Sequence, residues 1–178
     1  MQLQADKMDD PKVEAIMQEG QERIKSMAMI HQRFYEGEEL RDISFGEYLQ
    51  ELTEEISASY GKKQLIQLNI EDSKERFNID TSIPLGIIVN ELISNAYKHA
   101  FTIKDKGEIA IQLIKDSAIT SKIIVSDNGK GLPEGFDLEN TSSMGLKLVR
   151  ILVRQMRGEL SFLNDNGAQF IISFPSNQ

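Results

Sequence analysis

A change of hydrophobic period part-way along the chain is its strongest constraint. From Val13, apolar residues recur at Val13, Met17, Ile24, Met27 and Phe34, and Gly20 and His31 complete the alternating four-and-three steps of a heptad seam. This predicts one amphipathic helix over about 11–35, opened by Asp10 and Pro11 and left at Gly37. A second helix is expected over about 45–59, where Tyr48, Leu49, Leu52, Ile56 and Tyr60 share a face before Gly61. Beyond it the period falls to two. Leu65, Gln67 and Asn69 alternate as a strand does, and a short extended piece is expected from Phe77 to Ile79. Pro84 then opens a long apolar helix to about Ala100, followed by paired strands at Glu108 to Lys115 and Ser121 to Asp127. Asn128 to Gly145 reads as loop and Leu146 to Met156 as a helix stopped by Gly158. Glu159 to Leu163 and Gln169 to Phe174 form a hairpin around Asn164-Asp165-Asn166-Gly167. The expected fold is an α+β sandwich, a mixed sheet with helices on one face, preceded by an amphipathic helix. The arm covers 1–42 and the globular domain 43–178.

A chain of 178 residues with 40% hydrophobic residues can bury one domain core and carry such an arm. The formal charge of -8 argues against nucleic acid as a partner, because phosphate-backbone binders show a clustered basic face. Without cysteine there is no disulfide framework or thiolate metal site, and two histidines make no conventional zinc cage. The acidic opening and the interruption of the apolar run Ile83 to Ile93 by Asn90 and Glu91 predict neither a signal peptide nor a membrane span. A cytoplasmic location fits.

Three short segments carry the chemistry. On a helix, Glu91 and Asn95 lie four residues apart with Lys98 and His99 one turn further, so a carboxylate, an amide, an ammonium and an imidazole share a stripe. Such a stripe suits a metal-bound polyphosphate: the Asn95 amide oxygen is a hard ligand of the kind Mg²⁺ accepts, and Lys98 adds a point charge. In isolation it reads equally well as a surface helix with a solvated polar face. Asp127 ends an apolar strand, and Gly129 and Gly131 after it let the backbone approach a flat ligand closely. A buried carboxylate there needs a donor, such as the exocyclic amine of adenine. Alone, the run Asp127-Asn128-Gly129-Lys130-Gly131 is more often a hairpin or loop signal. Finally, in Ser143-Met144-Gly145-Leu146 the chain enters a helix at Gly145, where free N–H groups make an anion site, although a glycine before a helix is common for other reasons.

In this order and spacing, the segments resemble the N, G1 and G2 boxes of the GHKL ATPases, whose fold is the Bergerat ATP-binding sandwich. NELISNAYKHAF, DNGKGLPEGFD and SMGLKLVRILVRQMRGEL look most like histidine kinases of the second HisKA type, related to the HWE class. The stretch RIKSMAMIHQRFY followed by DISFGEYLQELTEEISASYG is similar to the second dimerisation helix of those proteins and its connection to the catalytic domain. The resemblance implies ATP and Mg²⁺ as cofactors and phosphoryl transfer to a histidine, with relay to a response-regulator receiver domain in a homodimeric full-length protein. It implies that Asn95 holds Mg²⁺, Glu91 polarises or deprotonates the attacking group, and Lys98 and His99 lie beside phosphate or ribose. Asp127 would receive the adenine amine, Gly129 and Gly131 would shape its pocket, and the segment Ser143, Met144, Gly145 and Leu146 would meet the phosphates. Leu132 to Met144 would be the ATP lid, expected to be mobile because it has few apolar anchors. Two departures stand out: Ser143 where many relatives have glycine, and Ala168 where the last hairpin often carries threonine.

The acceptor motif of this class, His-His-Arg-x-x-Asn-Asn, has no counterpart here. Leu3-Gln4 looks like the tail of the helix that bears it, so the chain is expected to be a fragment lacking acceptor and sensor. His31 occupies a seam position without the acidic and polar neighbours of an acceptor. Two other readings are an anti-sigma-factor-like serine kinase and a nucleotide-responsive dimerisation module without transfer chemistry.

Overall fold

The computed structural model describes residues 43–60, 66–71, 76–101, 107–117 and 119–175, together with Val13, Met17, Gly20, Gln21, Arg23, Ile24, Lys25, Ala28 and Gln32. Those scattered N-terminal residues are all helical, within the span expected for the arm. Its expected ends, the seam positions Met27, His31 and Phe34, and the strand position Leu65 lie outside the described residues.

Strand β1 (Ile43–Ser44) leads into α1 (Phe45–Tyr60), then β2 (Ile66–Glu71) and β3 (Arg76–Phe77). Helix α2 (Ile79–Asn95) follows and ends in a single π-helical turn, Ala96–Ala100. Strands β4 (Gly107–Lys115) and β5 (Thr120–Asp127), helix α3 (Met144–Gln155), and strands β6 (Glu159–Asn164) and β7 (Ala168–Pro175) complete the order. One five-stranded sheet runs β2-β4-β5-β7-β6, with β2 parallel to β4 and every other neighbour antiparallel. β1 and β3 pair separately. The mixed α+β architecture is the one expected.

Alternation selects the buried face of the sheet. Ile109, Ile111 and Leu113 of β4, Ile123 and Val125 of β5, and Phe170, Ile172 and Phe174 of β7 are all buried, in registers that set Ile111 opposite Val125 and Val125 opposite Phe170. On β4 the opposite parity carries Gln112 and the exposed Ile114. Helix α2 is apolar on nearly every side, with Leu85, Ile87, Ile88, Val89, Leu92 and Ile93 buried, because it packs against α1, α3 and the sheet. A Cβ at Gly86 would collide with the Tyr48 ring, so glycine there sets how closely α1 and α2 approach.

Two boundaries correct the sequence reading. Ile79 is helical rather than extended, and Pro84 lies inside α2 rather than opening it. The start belongs to Asn78, whose side-chain oxygen accepts from Thr81 N at 3.0 Å. Pro84 is tolerated because the carbonyl it leaves without an N–H is that of Asp80, an exposed residue of the first turn. At the end of α3 the left-handed residue is Arg157 (φ 55°), not Gly158. Gly158 is needed because a Cβ would press on the Ser173 carbonyl.

Candidate nucleotide-binding site

A cavity of about 840 Å³ opens between the end of α2, the ends of β5 and β7, and the loop before α3. Its volume is within the range of sites that enclose a nucleotide-sized ligand. Of the residues singled out from the sequence, Asn95, His99, Asp127, Gly131, Ser143 and Leu146 line it. Glu91, Lys98, Gly129, Met144 and Gly145 do not.

The stripe expected on α2 divides. The π turn from Ala96 widens the helix beyond Asn95, and Lys98 on that turn does not line the cavity. Asn95 and His99 reach the cavity, whereas the Glu91 carboxylate turns toward the N-terminal arm. There it accepts from Arg23 through both oxygens, from Nε to Oε1 and from Nη2 to Oε2 at 3.0 Å. The side chains of Arg23 and Glu91 are 19% and 9% exposed, so the pair is largely withdrawn from water. Glu91 Oε2 also lies where a Cβ on Gly145 would have to be. Lys25 makes a further ion pair, with Glu55 of α1.

Asp127 closes the far wall. Its Oδ1 accepts from Gly129 N at 2.9 Å and Ala168 N at 3.4 Å. Among the described residues nothing donates to Oδ2. Burial pushes the Asp127 carboxyl up from its ordinary value, partly offset by the N–H groups of Gly129 and Ala168. The loop that follows is zipped onto the π turn: Lys130 N donates to the Ala100 carbonyl at 3.0 Å, and a Cβ on Gly129 would collide with that same carbonyl. Gly129 therefore shapes the wall from behind it. Gly131 has φ 73°, which a β-carbon disfavours.

The segment from Leu132 to Ser143 is better anchored than its composition suggests. Phe136 meets Phe162 edge to face at 5.2 Å, and Leu138 is buried. The Asn164 amide accepts from Leu132 N at 2.8 Å and donates to Leu132 O at 3.0 Å. Arg150 donates to the Glu139 carbonyl at 2.6 Å and pairs with its carboxylate, which Arg154 approaches at 3.4 Å. None of Asn164, Phe162, Arg150 or Arg23 was singled out from the sequence, because each acts on a partner far along the chain.

Helix α3 starts at Met144, two residues before the expected Leu146. Ser143 is its N-cap and accepts from Leu146 N at 3.4 Å, so that N–H already has a protein partner. Met144 is 64% exposed, and Gly145 faces Glu91 rather than the cavity.

Residues 80–178 match the model of the histidine kinase-, DNA gyrase B- and HSP90-like ATPases. The chain belongs to that family. Residues 1–60 of the chain match a histidine kinase model of the HisKA_2 type. It is 29% identical over 119 residues to blue-light-activated histidine kinase 2 of Erythrobacter litoralis, an alignment covering 67% of this chain and 34% of that protein. It is 25% identical over 179 residues to the sensor histidine kinase PdtaS of Mycobacterium tuberculosis, covering 98% of this chain and 35% of the relative. The chain thus spans about a third of the length of these relatives. Its fold matches the histidine kinase domain of the E. litoralis EL346 blue-light-activated kinase with a TM-score of 0.78, at 24% identity, covering 89% of this chain and 75% of that one. No helix among the described residues is long and apolar enough to cross a membrane.

Proposed function

We propose that this ATPase domain binds ATP with Mg²⁺ in the 840 Å³ cavity and transfers the γ-phosphoryl group to a histidine on a separate helical element, for relay to a receiver-domain aspartate. The observation that carries the reading is Asp127, with Oδ1 pinned by two backbone N–H groups and Oδ2 left for an incoming donor such as the adenine amine. The donor set fits Mg²⁺. Asn95 offers a hard oxygen at the cavity, and the described residues hold no cluster of three or more His, Cys, Asp or Glu, so the ion would take its other oxygens from phosphates and water. Bound there, it would neutralise charge on the transferred group.

The protein's own part is positioning. Asp127 orients adenine, His99 borders the same cavity, and the loop from Leu132 to Ser143 covers the ligand. In the transfer, one ring nitrogen of the acceptor imidazole bonds to the γ-phosphorus as the bond from that phosphorus to its bridging oxygen breaks. ADP keeps that electron pair, and the proton on the other ring nitrogen passes to Glu91. Residues 1–42 are read as part of a dimerisation segment and 43–178 as the catalytic domain of a cytoplasmic, homodimeric kinase.

Calorimetry with ADP and Mg²⁺, and transfer of label from γ-labelled ATP to a supplied acceptor domain, test the reading. Binding that Asp127→Ala weakens by about 1 to 3 kcal/mol is the expected result. No heat with any adenine nucleotide at millimolar concentration, or equal binding by Asp127→Ala, overturns it.

A further inference from the structure

We propose that Arg23 is a positioning residue that holds Glu91 out of action, so that seating of the N-terminal arm sets whether this domain transfers phosphoryl groups. The inference rests on reading Glu91 as the base. A carboxylate can take a proton from an acceptor imidazole only through an oxygen that is free to face it. Here both oxygens already accept from one guanidinium in the bidentate arrangement that arginine favours. The carboxylate is also displaced from the cavity that Asn95, four residues on, does line. It is lodged against Gly145, the one residue type there whose Cα leaves room for Oε2.

The arm makes this contact from a fixed seat. Lys25, two residues beyond Arg23, pairs with Glu55 of α1, so two ion pairs tie the arm to two different helices of the domain. Between them Ile24 is 62% exposed, which leaves that side of the arm open to solvent. Lifting the arm removes the guanidinium from a poorly hydrated carboxylate and releases both oxygens together. Arm position and base availability are thereby one equilibrium.

The test uses the chain with a separately supplied acceptor domain and measures the transfer rate at saturating γ-labelled ATP, with ADP affinity in parallel. Arg23→Ala is expected to raise the rate at least about fivefold, the lower end of ordinary coupling between sites, with the KM for ATP and the affinity for ADP unchanged. Arg23→Lys, whose point charge cannot bridge both oxygens as a fork, gives a smaller rise. Glu91→Gln placed in the Arg23→Ala background removes the gain, which a general loosening of the fold would not do. Lys25→Glu unseats the arm without touching either member of the pair and raises the rate as well. It carries the test together with Arg23→Lys if Arg23→Ala does not fold. Wild-type transfer that Arg23→Ala fails to exceed, with ADP binding intact, overturns the Arg23 assignment alone. Absence of transfer from wild type and every Arg23 and Lys25 variant, with ADP still bound, overturns the transfer reading and the Arg23 assignment with it.

Discussion

The side-chain amide of Asn164 grips both backbone groups of Leu132, accepting from its N–H at 2.8 Å and donating to its carbonyl at 3.0 Å. One side chain at the end of β6 thus does for the first residue of the loop what a neighbouring strand would do. Asn164→Ala removes both bonds, each worth about 0.5 to 1.5 kcal/mol. Amide exchange at Leu132 to Phe136 is expected to accelerate, while the protection of β4 and β5 stays as it was. Unchanged exchange in this loop would mean that Phe136 on Phe162 holds it without the amide.

Asp127 couples binding to pH and to stability in opposite senses. Burial raises its carboxyl above the ordinary value, so the folded chain holds this proton more tightly than the unfolded one. Its contribution to folding therefore becomes less favourable as pH rises from the unfolded value of 3.8 through the folded one, and stays unfavourable above that window. Asp127→Asn keeps an oxygen for Gly129 N and Ala168 N but removes the buried charge. Its nucleotide-free melting temperature at neutral pH is expected to exceed that of wild type, and its ADP affinity to fall, because an amide N–H₂ now meets the adenine amine. Scanning calorimetry against pH checks this, and the wild type should lose ADP affinity as pH drops into the same window.

Arg157 bears a left-handed conformation (φ 55°) where α3 closes, with Arg157 N donating to Arg154 O and Gly158 N to Val153 O. This is the paired closure in which glycine is preferred. Arg157→Gly should stabilise the chain by about 1 kcal/mol, since an L side chain costs about that much there. Gly158→Ala should destabilise it, because the added methyl presses on the Ser173 carbonyl. Denaturant midpoints of the two variants should move in opposite directions.

Elements with an unbroken period were legible in the sequence: α1, β4, β5 and the closing hairpin lie within a residue or two of where alternation and helical spacing put them. The start of α2 was not. Its capping residue, Asn78, stands one residue after a strand, and Pro84 offered a stronger local signal that the helix overrode. Within the candidate site, Asn95, Asp127 and Gly131 line one cavity. The divergence of Glu91 from that group was hidden because spacing on one helix cannot reveal that its partner comes from 68 residues upstream. The π turn that carries Lys98 likewise has no signature in residue type.

Gly129 tests whether the cavity wall depends on the π turn behind it. Lys130 N reaches the Ala100 carbonyl at 3.0 Å only because the intervening glycine has no side chain, and a Cβ there would meet both that carbonyl and the Ala100 Cβ. Neither obstacle is the far end of a flexible side chain, so the loop itself would have to retreat. Overpacking of this kind costs about 1 to 3 kcal/mol, and the retreat would draw Gly129 N away from Asp127 Oδ1. Gly129→Ala is therefore expected to lower both the denaturant midpoint and ADP affinity, although position 129 does not line the cavity. Calorimetry on Gly129→Ala beside Gly20→Ala, where nothing among the described residues lies within 4 Å of an added Cβ, separates this from a general effect of removing a glycine. Equal ADP affinity in the two variants would show that Asp127 keeps its place without support from the π turn.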